Sequence, residues 1–189
     1  MLHRRAVLAS TLAVLATPGA AQEAENLWRA LAAGGHAALM RHAEAPGVGD
    51  PPGFRLDECG TQRNLNEAGR RFSEALGAEF RRREVRVSRV LSSEWCRCLD
   101  TARLLALGPV EVTPGALNSF FESPGERSRS AAALQTLLAS LPRDAASVLV
   151  THQVNITALT GVFPASCEIV VLRLEPGGGY AVAGRLASR

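Results

Sequence analysis

Apolar and polar positions change period repeatedly along this chain, and the changes divide it into short alternating elements. Over residues 23–33, Leu27, Trp28 and Leu31 recur at helical spacing, and Gly34-Gly35 follows as a stop signal. An apolar run then begins at His36 and ends abruptly in Arg41-His42, which predicts a short buried strand with polar residues at its end. Residues 43–65 hold Pro46, Gly47, Gly49, Pro51, Pro52 and Gly53, and read as an irregular loop long enough to serve a function. Asn64 or Asn66 is placed to cap the next helix, which carries Phe72, Leu76 and Phe80 on its buried face and ends near Arg83.

The alternation continues toward the C-terminus. Residues 85–91 predict a strand stopping at Ser92-Ser93, residues 94–107 a helix, and residues 110–112 a third strand. Residues 114–128 read as a loop, 129–141 as a helix, 147–150 as a strand ending in Thr151-His152, and 154–159 as the start of a helix. Residues 169–174 and 180–186, joined by Gly177-Gly178-Gly179, read as a hairpin. Strands alternating with helices predict one α/β domain over residues 22–189, a three-layer sandwich around a mostly parallel sheet.

The first 21 residues follow a different logic. Met1 to Arg5 is basic, residues 6–16 are apolar but too few to span a bilayer, and Gly19-Ala20-Ala21 supplies small residues before Gln22. This reads as a signal peptide, with a retained anchor as the alternative, and Arg4-Arg5 leaves both the general secretory and the twin-arginine routes open. The expectation is a periplasmic protein with no stable membrane insertion once the signal is removed. The whole chain carries a formal charge of +3, but Arg4 and Arg5 leave with the signal, so 19 basic residues face 18 acidic ones. A nucleic-acid partner is therefore not indicated. Every basic residue is arginine, and Arg81-Arg82-Arg83 reads as the solvated end of a helix.

Four cysteines, Cys59, Cys96, Cys98 and Cys167, lie beyond the signal. They allow a bridge from the loop of Cys59 to the helix of Cys96 or Cys98, with free thiols as the alternative. Cys-x-Cys lacks zinc-ligand spacing, and no metal is indicated.

Three strands end in or beside cationic or titratable residues: Arg41-His42, then Ser92-Ser93 with Arg97 one turn into the next helix, then His152. In open α/β sheets these strand ends share one edge with the following helix N-termini, and ligands bind there. Two guanidinium groups and two imidazoles at such an edge suit a tetrahedral dianion, and so phosphoryl transfer. His36, at the opposite end of its strand, reads as structural.

The ordered set Leu39-Met40-Arg41-His42-Ala43-Glu44, Ser92-Ser93 with Arg97 and Thr101-Ala102, and Val150-Thr151-His152 resembles the histidine phosphatase superfamily, with its phosphoglycerate-mutase-like fold. Arg63-Asn64-Leu65-Asn66 with Gly69 is similar to the segment opening the second helix in small bacterial members. The resemblance implies a phosphoric monoester hydrolase that uses neither metal nor cofactor. His42 would attack phosphorus, Arg41, Arg97 and a protonated His152 would hold the phosphoryl oxygens, and Arg63 and Ser92 would help bind substrate. Two departures bear on this. Leu117-Asn118 is followed by Ser119 where larger members place a glutamate acid, leaving Glu122 and Glu44 as candidate proton donors. Gln153 stands where a glycine usually follows the second histidine, and would narrow the pocket or add an amide donor. Thr61-Gln62-Arg63-Asn64-Leu65 is similar to exported members that dephosphorylate heptose of the lipopolysaccharide core, which implies a small phosphorylated envelope sugar as substrate. A phosphohistidine phosphatase and a non-catalytic module binding a phosphorylated ligand are the alternatives.

Overall fold

The computed structural model describes residues 18–118 and 124–187. The core of the expected signal and Glu122 lie outside the described residues. Helix α1 (Pro18–Ala33) leads into strand β1 (His36–Arg41), and a long loop with a 3-10 turn at Cys59–Thr61 connects this to α2 (Glu67–Arg82). Then come β2 (Val87–Ser92), α3 (Cys96–Leu105), β3 (Val110–Val112), the short α4 (Pro114–Leu117) and α5 (Pro124–Ala139). The chain closes with β4 (Ala146–Thr151), α6 (Gln153–Thr160), β5 (Ile169–Leu174) and β6 (Tyr180–Leu186). Helix α1 starts earlier than its apolar spacing predicts. Part of the expected 114–128 loop is helical, because Pro114 and Pro124 each open a helix at a position where proline's missing N–H costs nothing.

The six strands form one sheet in the order β3-β2-β4-β1-β5-β6. Strands β1 to β4 run parallel, and the β5-β6 hairpin adds to β1 antiparallel. Side chains alternate along the central strands and divide between two cores. Ala38, Met40, Val90, Val148 and Val150 pack against α1, α2 and α3, while Ala37, Leu39, Leu91 and Leu149 pack against α4, α5 and α6. The α/β three-layer sandwich expected from the pattern is the fold observed.

Helix α2 packs differently from its apolar stripe. Its buried residues are Gly69, Ser73, Gly77 and Phe80. Phe72 and Leu76 are only partly buried and line a groove of about 1020 Å³ between α1, α2 and β6. A Cβ at Gly77 would overlap the carbonyl of Leu105, and one at Gly69 the carbonyl of Glu44. Small residues four apart thus let α2 approach α3 and the β1 loop closely. Asn66 is the cap, its side chain accepting from Gly69 N at 2.7 Å. The arginine run is not simply solvated either. Arg81 donates to the carbonyls of Leu105 and Ala106 at the end of α3, and Arg83 binds Glu25 while lying 5.1 Å over the Trp28 ring.

Candidate active site

Strand register brings the polar strand ends together. Arg41 pairs with Thr151, and Met40 and Ser92 both pair with Val150, so Arg41-His42, Thr151-His152 and Ser92-Ser93 lie side by side on β1, β4 and β2. Main-chain bonds extend the alignment past the strands: His42 N donates to Thr151 O at 2.9 Å, and Ser93 N to Val150 O at 3.0 Å. His42 and His152 are 3% and 4% exposed, with ring centres 5.5 Å apart and planes at 67°.

Hydrogen bonds assign each ring a role. Nδ1 of His42 lies 2.7 Å from the carbonyl of Ala43, an obligate acceptor, so Nδ1 carries the proton and Nε2 keeps the lone pair. Ser93 Oγ donates to Asn118 Oδ1 at 3.1 Å and therefore accepts from Nε2 of His152 at 2.9 Å. Cys98 Sγ, buried and reduced, is 3.5 Å from the same nitrogen. The Trp95 ring stands edge-on to His152 with centres 5.2 Å apart. Burial, reinforced by Arg97, Arg63 and Arg41, lowers His42 to a pKa of about 3. Burial, Arg97 and His42 hold His152 well below the ordinary imidazole range. Both shifts favour neutral rings while no anion is bound, whereas the resemblance implies a protonated His152 during phosphoryl transfer. A dianion between the rings would reverse the local field and favour that proton.

The arginines are held by their remote nitrogens. Nη1 of Arg41 donates to Pro164 O at 3.0 Å, and Nη1 of Arg97 to Asp50 at 2.8 Å. The Nε atoms of both are buried with no hydrogen-bond partner among the described residues. Buried donors of this kind call for an acceptor, and an oxyanion supplies several.

Other predicted residues fall at varied places. Arg63 is half-buried, and its guanidinium donates to Gly49 O at 2.8 Å and to Ala45 O, tying the loop after β1 to the start of α2. Glu44 is exposed, accepting from Asn66 Nδ2 at 2.9 Å. Ser92 turns away from the histidines and donates to the carbonyl of Ser93, so Ser93 and not Ser92 touches the cluster. Gln153 donates along its own helix to Thr157 Oγ1 at 2.9 Å, which accounts for its amide without the pocket. Cys59 bridges to Cys96, fixing the loop to the helix end one residue before Arg97, and Gln62 joins the same two parts by accepting from Cys96 N at 3.0 Å. His36 Nδ1 lies 2.7 Å from Gly34 O, far from the site. Asp50, Trp95 and Asn118 are site residues that the motif pattern did not select. Asn118 alone had a signal, its place beside Leu117.

The family model described as histidine phosphatase superfamily (branch 1) matches residues 37–120. No curated protein sequence matches the chain. Among solved structures, the protein histidine phosphatase SixA complexed with tungstate superposes with a TM-score of 0.59 at 20% identity, over 81% of this chain and 97% of that one. A mycobacterial glucosyl-3-phosphoglycerate phosphatase gives 0.56 at 19%, over 78% and 96%. A phosphoserine phosphatase mutant from Entamoeba histolytica, in complex with phosphoserine, gives 0.59 at 13%, over 79% and 95%. The matched segment carries Arg41, His42, Ser93 and Arg97, and His152, just after β4, lies beside His42 and Ser93. Residues 37–120 thus match the histidine phosphatase superfamily (branch 1) model, and the chain has the fold that these solved phosphatases share.

Proposed function

We propose that this chain is an exported phosphomonoesterase that forms a transient phosphohistidine on His42, draws its positive charge from arginines without metal or cofactor, and acts on a small phosphorylated sugar of the cell envelope. The observation that carries the reading is the pair of facing imidazoles flanked by two arginines whose Nε donors are buried without an acceptor among the described residues. A disulfide joining Cys59 to Cys96 and the signal-like first 21 residues support export.

In this reading the Nε2 lone pair of His42 attacks phosphorus opposite the ester oxygen. The P–O bond breaks, its electron pair goes to the leaving oxygen, and that oxygen takes a proton. Water then attacks phosphorus, the P–N bond breaks, and inorganic phosphate leaves. Arg41 and Arg97 stabilise charge on the equatorial oxygens throughout. Glu44 and Glu122 are the candidate donors for the leaving oxygen.

A phosphohistidine phosphatase is the second reading, favoured by the exposure of Glu44 and its bond to Asn66. A phosphoramidate leaving group needs less help from an acid.

The test is turnover of p-nitrophenyl phosphate by the mature protein with chelator present, beside His42→Ala and a quenched sample assayed for acid-labile phosphohistidine. Release that is lost in His42→Ala and accompanied by the labile adduct is expected. Phosphate binding without turnover of any ester or phosphohistidine overturns the enzyme reading in favour of a binding module.

A further inference from the structure

Asp50 lies in the Gly- and Pro-rich loop after β1, and its side chain is 3% exposed where that of Arg97 is 5% exposed. Nη1 of Arg97 donates to both carboxylate oxygens, at 2.8 and 3.2 Å. The same carboxylate accepts Nε1–H of Trp95 and the main-chain N–H of Arg63, each at 3.0 Å. The bonds between Arg97 and Asp50 run through Nη1, while Nε of Arg97 stays buried without a partner among the described residues. A guanidinium is rigid and planar, so fixing one terminal nitrogen sets the direction of every other N–H.

We propose that Asp50 is the positioning residue for Arg97: holding Nη1 from the loop side, it turns the Nε edge of the guanidinium toward the phosphoryl oxygens. The proposal rests on the phosphatase reading above. Asp50 also fixes the Trp95 indole, whose ring stands edge-on to His152 with centres 5.2 Å apart, so one carboxylate orients two walls of the site.

Two other roles for a buried aspartate fit less well. A proton donor needs a protonated carboxyl. Burial pushes Asp50 up, but the donors from Arg63, Arg97 and Trp95 outweigh it and hold the group below the usual carboxylate range. A competitor for phosphate would cover the whole edge of Arg97, whereas Asp50 takes one nitrogen.

The experiment compares wild type, Asp50→Asn and Asp50→Glu on p-nitrophenyl phosphate, on a simple alkyl phosphate and with orthovanadate as inhibitor. Asp50→Asn is expected to lower kcat/KM about 10- to 100-fold, equally for both esters, and to weaken orthovanadate by a similar factor. Asp50→Glu, which keeps the charge, is expected to recover part of the loss. In an Arg97→Lys background either substitution should cost little, since an ammonium has no edge to orient. If Asp50→Asn does not fold, Asp50→Glu with and without Arg97→Lys carries the same comparison. A loss concentrated on the alkyl ester makes Asp50 an acid, tighter orthovanadate makes it a competitor, and equal losses in both backgrounds make it a loop anchor; each overturns the proposal. A wild type that turns over neither ester overturns the phosphatase reading instead, and orthophosphate affinity by calorimetry then decides on Asp50: weaker in Asp50→Asn upholds it, unchanged overturns it.

Discussion

His42 and His152 face each other at 5.5 Å between ring centres, and both imidazoles are held neutral by burial beside arginines. Stability should therefore depend on pH with a definite sign. His42 has a folded pKa of about 3 against an ordinary 6.5, and His152 shifts the same way. Between those values the unfolded chain takes up protons that the folded chain refuses, so stability is full above about pH 6.5 and falls toward pH 3. Thermal midpoints from pH 7.5 to 4 should decline, and the decline should flatten in His42→Asn and in His152→Asn. An unchanged slope in both variants would count against buried neutral rings.

Binding a phosphate dianion should draw a proton onto the histidine pair. Calorimetry of orthophosphate binding near pH 7, run in two buffers of different ionisation enthalpy, should report net proton uptake that disappears in His152→Asn. Zero uptake in the wild type would mean that the rings stay neutral around the ligand.

Ser93 orients His152 through one hydrogen bond, and Arg97 offers charge directly, so their losses should differ in size. Arg97→Gln is expected to lower kcat about 10²- to 10³-fold, in line with the removal of a single oxyanion donor. Ser93→Ala should cost roughly tenfold, the effect of about one net hydrogen bond. Steady-state kinetics on one aryl phosphate ranks the two, and a larger loss in Ser93→Ala would reverse the assignment.

The strand ends were legible in the sequence because each combines a run of apolar residues with an abrupt polar stop; Arg41, His42 and His152 sit at those stops, and Arg97 lies in the first turn of the helix that follows one. Asp50 was not legible. It lies among glycines and prolines with no periodicity, and only the folded loop shows that it meets Arg97. Ser92 and Ser93 are adjacent hydroxyls, and the pleat decides which one faces His152. The buried face of α2 was legible only in part: Phe80 is fully buried and Phe72 and Leu76 pack partly buried against the same core, but the close approach that buries Gly69, Ser73 and Gly77 carries no hydrophobic signal. The neutrality of His152 depends on burial and on three arginines brought from separate segments, which a linear motif does not convey.

Gly77 supplies a test of that packing. Gly77→Ala puts a methyl group into the Leu105 carbonyl and should destabilise the fold by about 1–3 kcal/mol or more, despite alanine's higher helix propensity. Urea melts would show it, and a stabilised variant would mean that α2 and α3 can move apart freely.

The Cys59–Cys96 bridge closes a segment with a sequence separation of 37. Chain entropy assigns such a closure roughly 3 to 4 kcal/mol. Cys59→Ser should lose stability on that scale, and kcat should fall with it because Arg97 follows Cys96 directly. Melts with and without reductant, on wild type and variant, separate the bridge from the substitution.

The loop after β1 has little regular structure, yet it is held to α3 by three anchors: the bridge to Cys96, the amide of Gln62 and the carboxylate of Asp50. The loop also reaches the core, where Ala45 is buried and Phe54 packs against the same cluster as Trp95. All three anchors meet α3 or its start, at Trp95, Cys96 and Arg97, so the course of the loop and the direction of the Arg97 guanidinium are fixed together. In evolutionary terms the stretch between Glu44 and Arg63 is free to vary only around Asp50, Cys59 and Gln62, because a replacement lacking them would release Arg97 along with the loop.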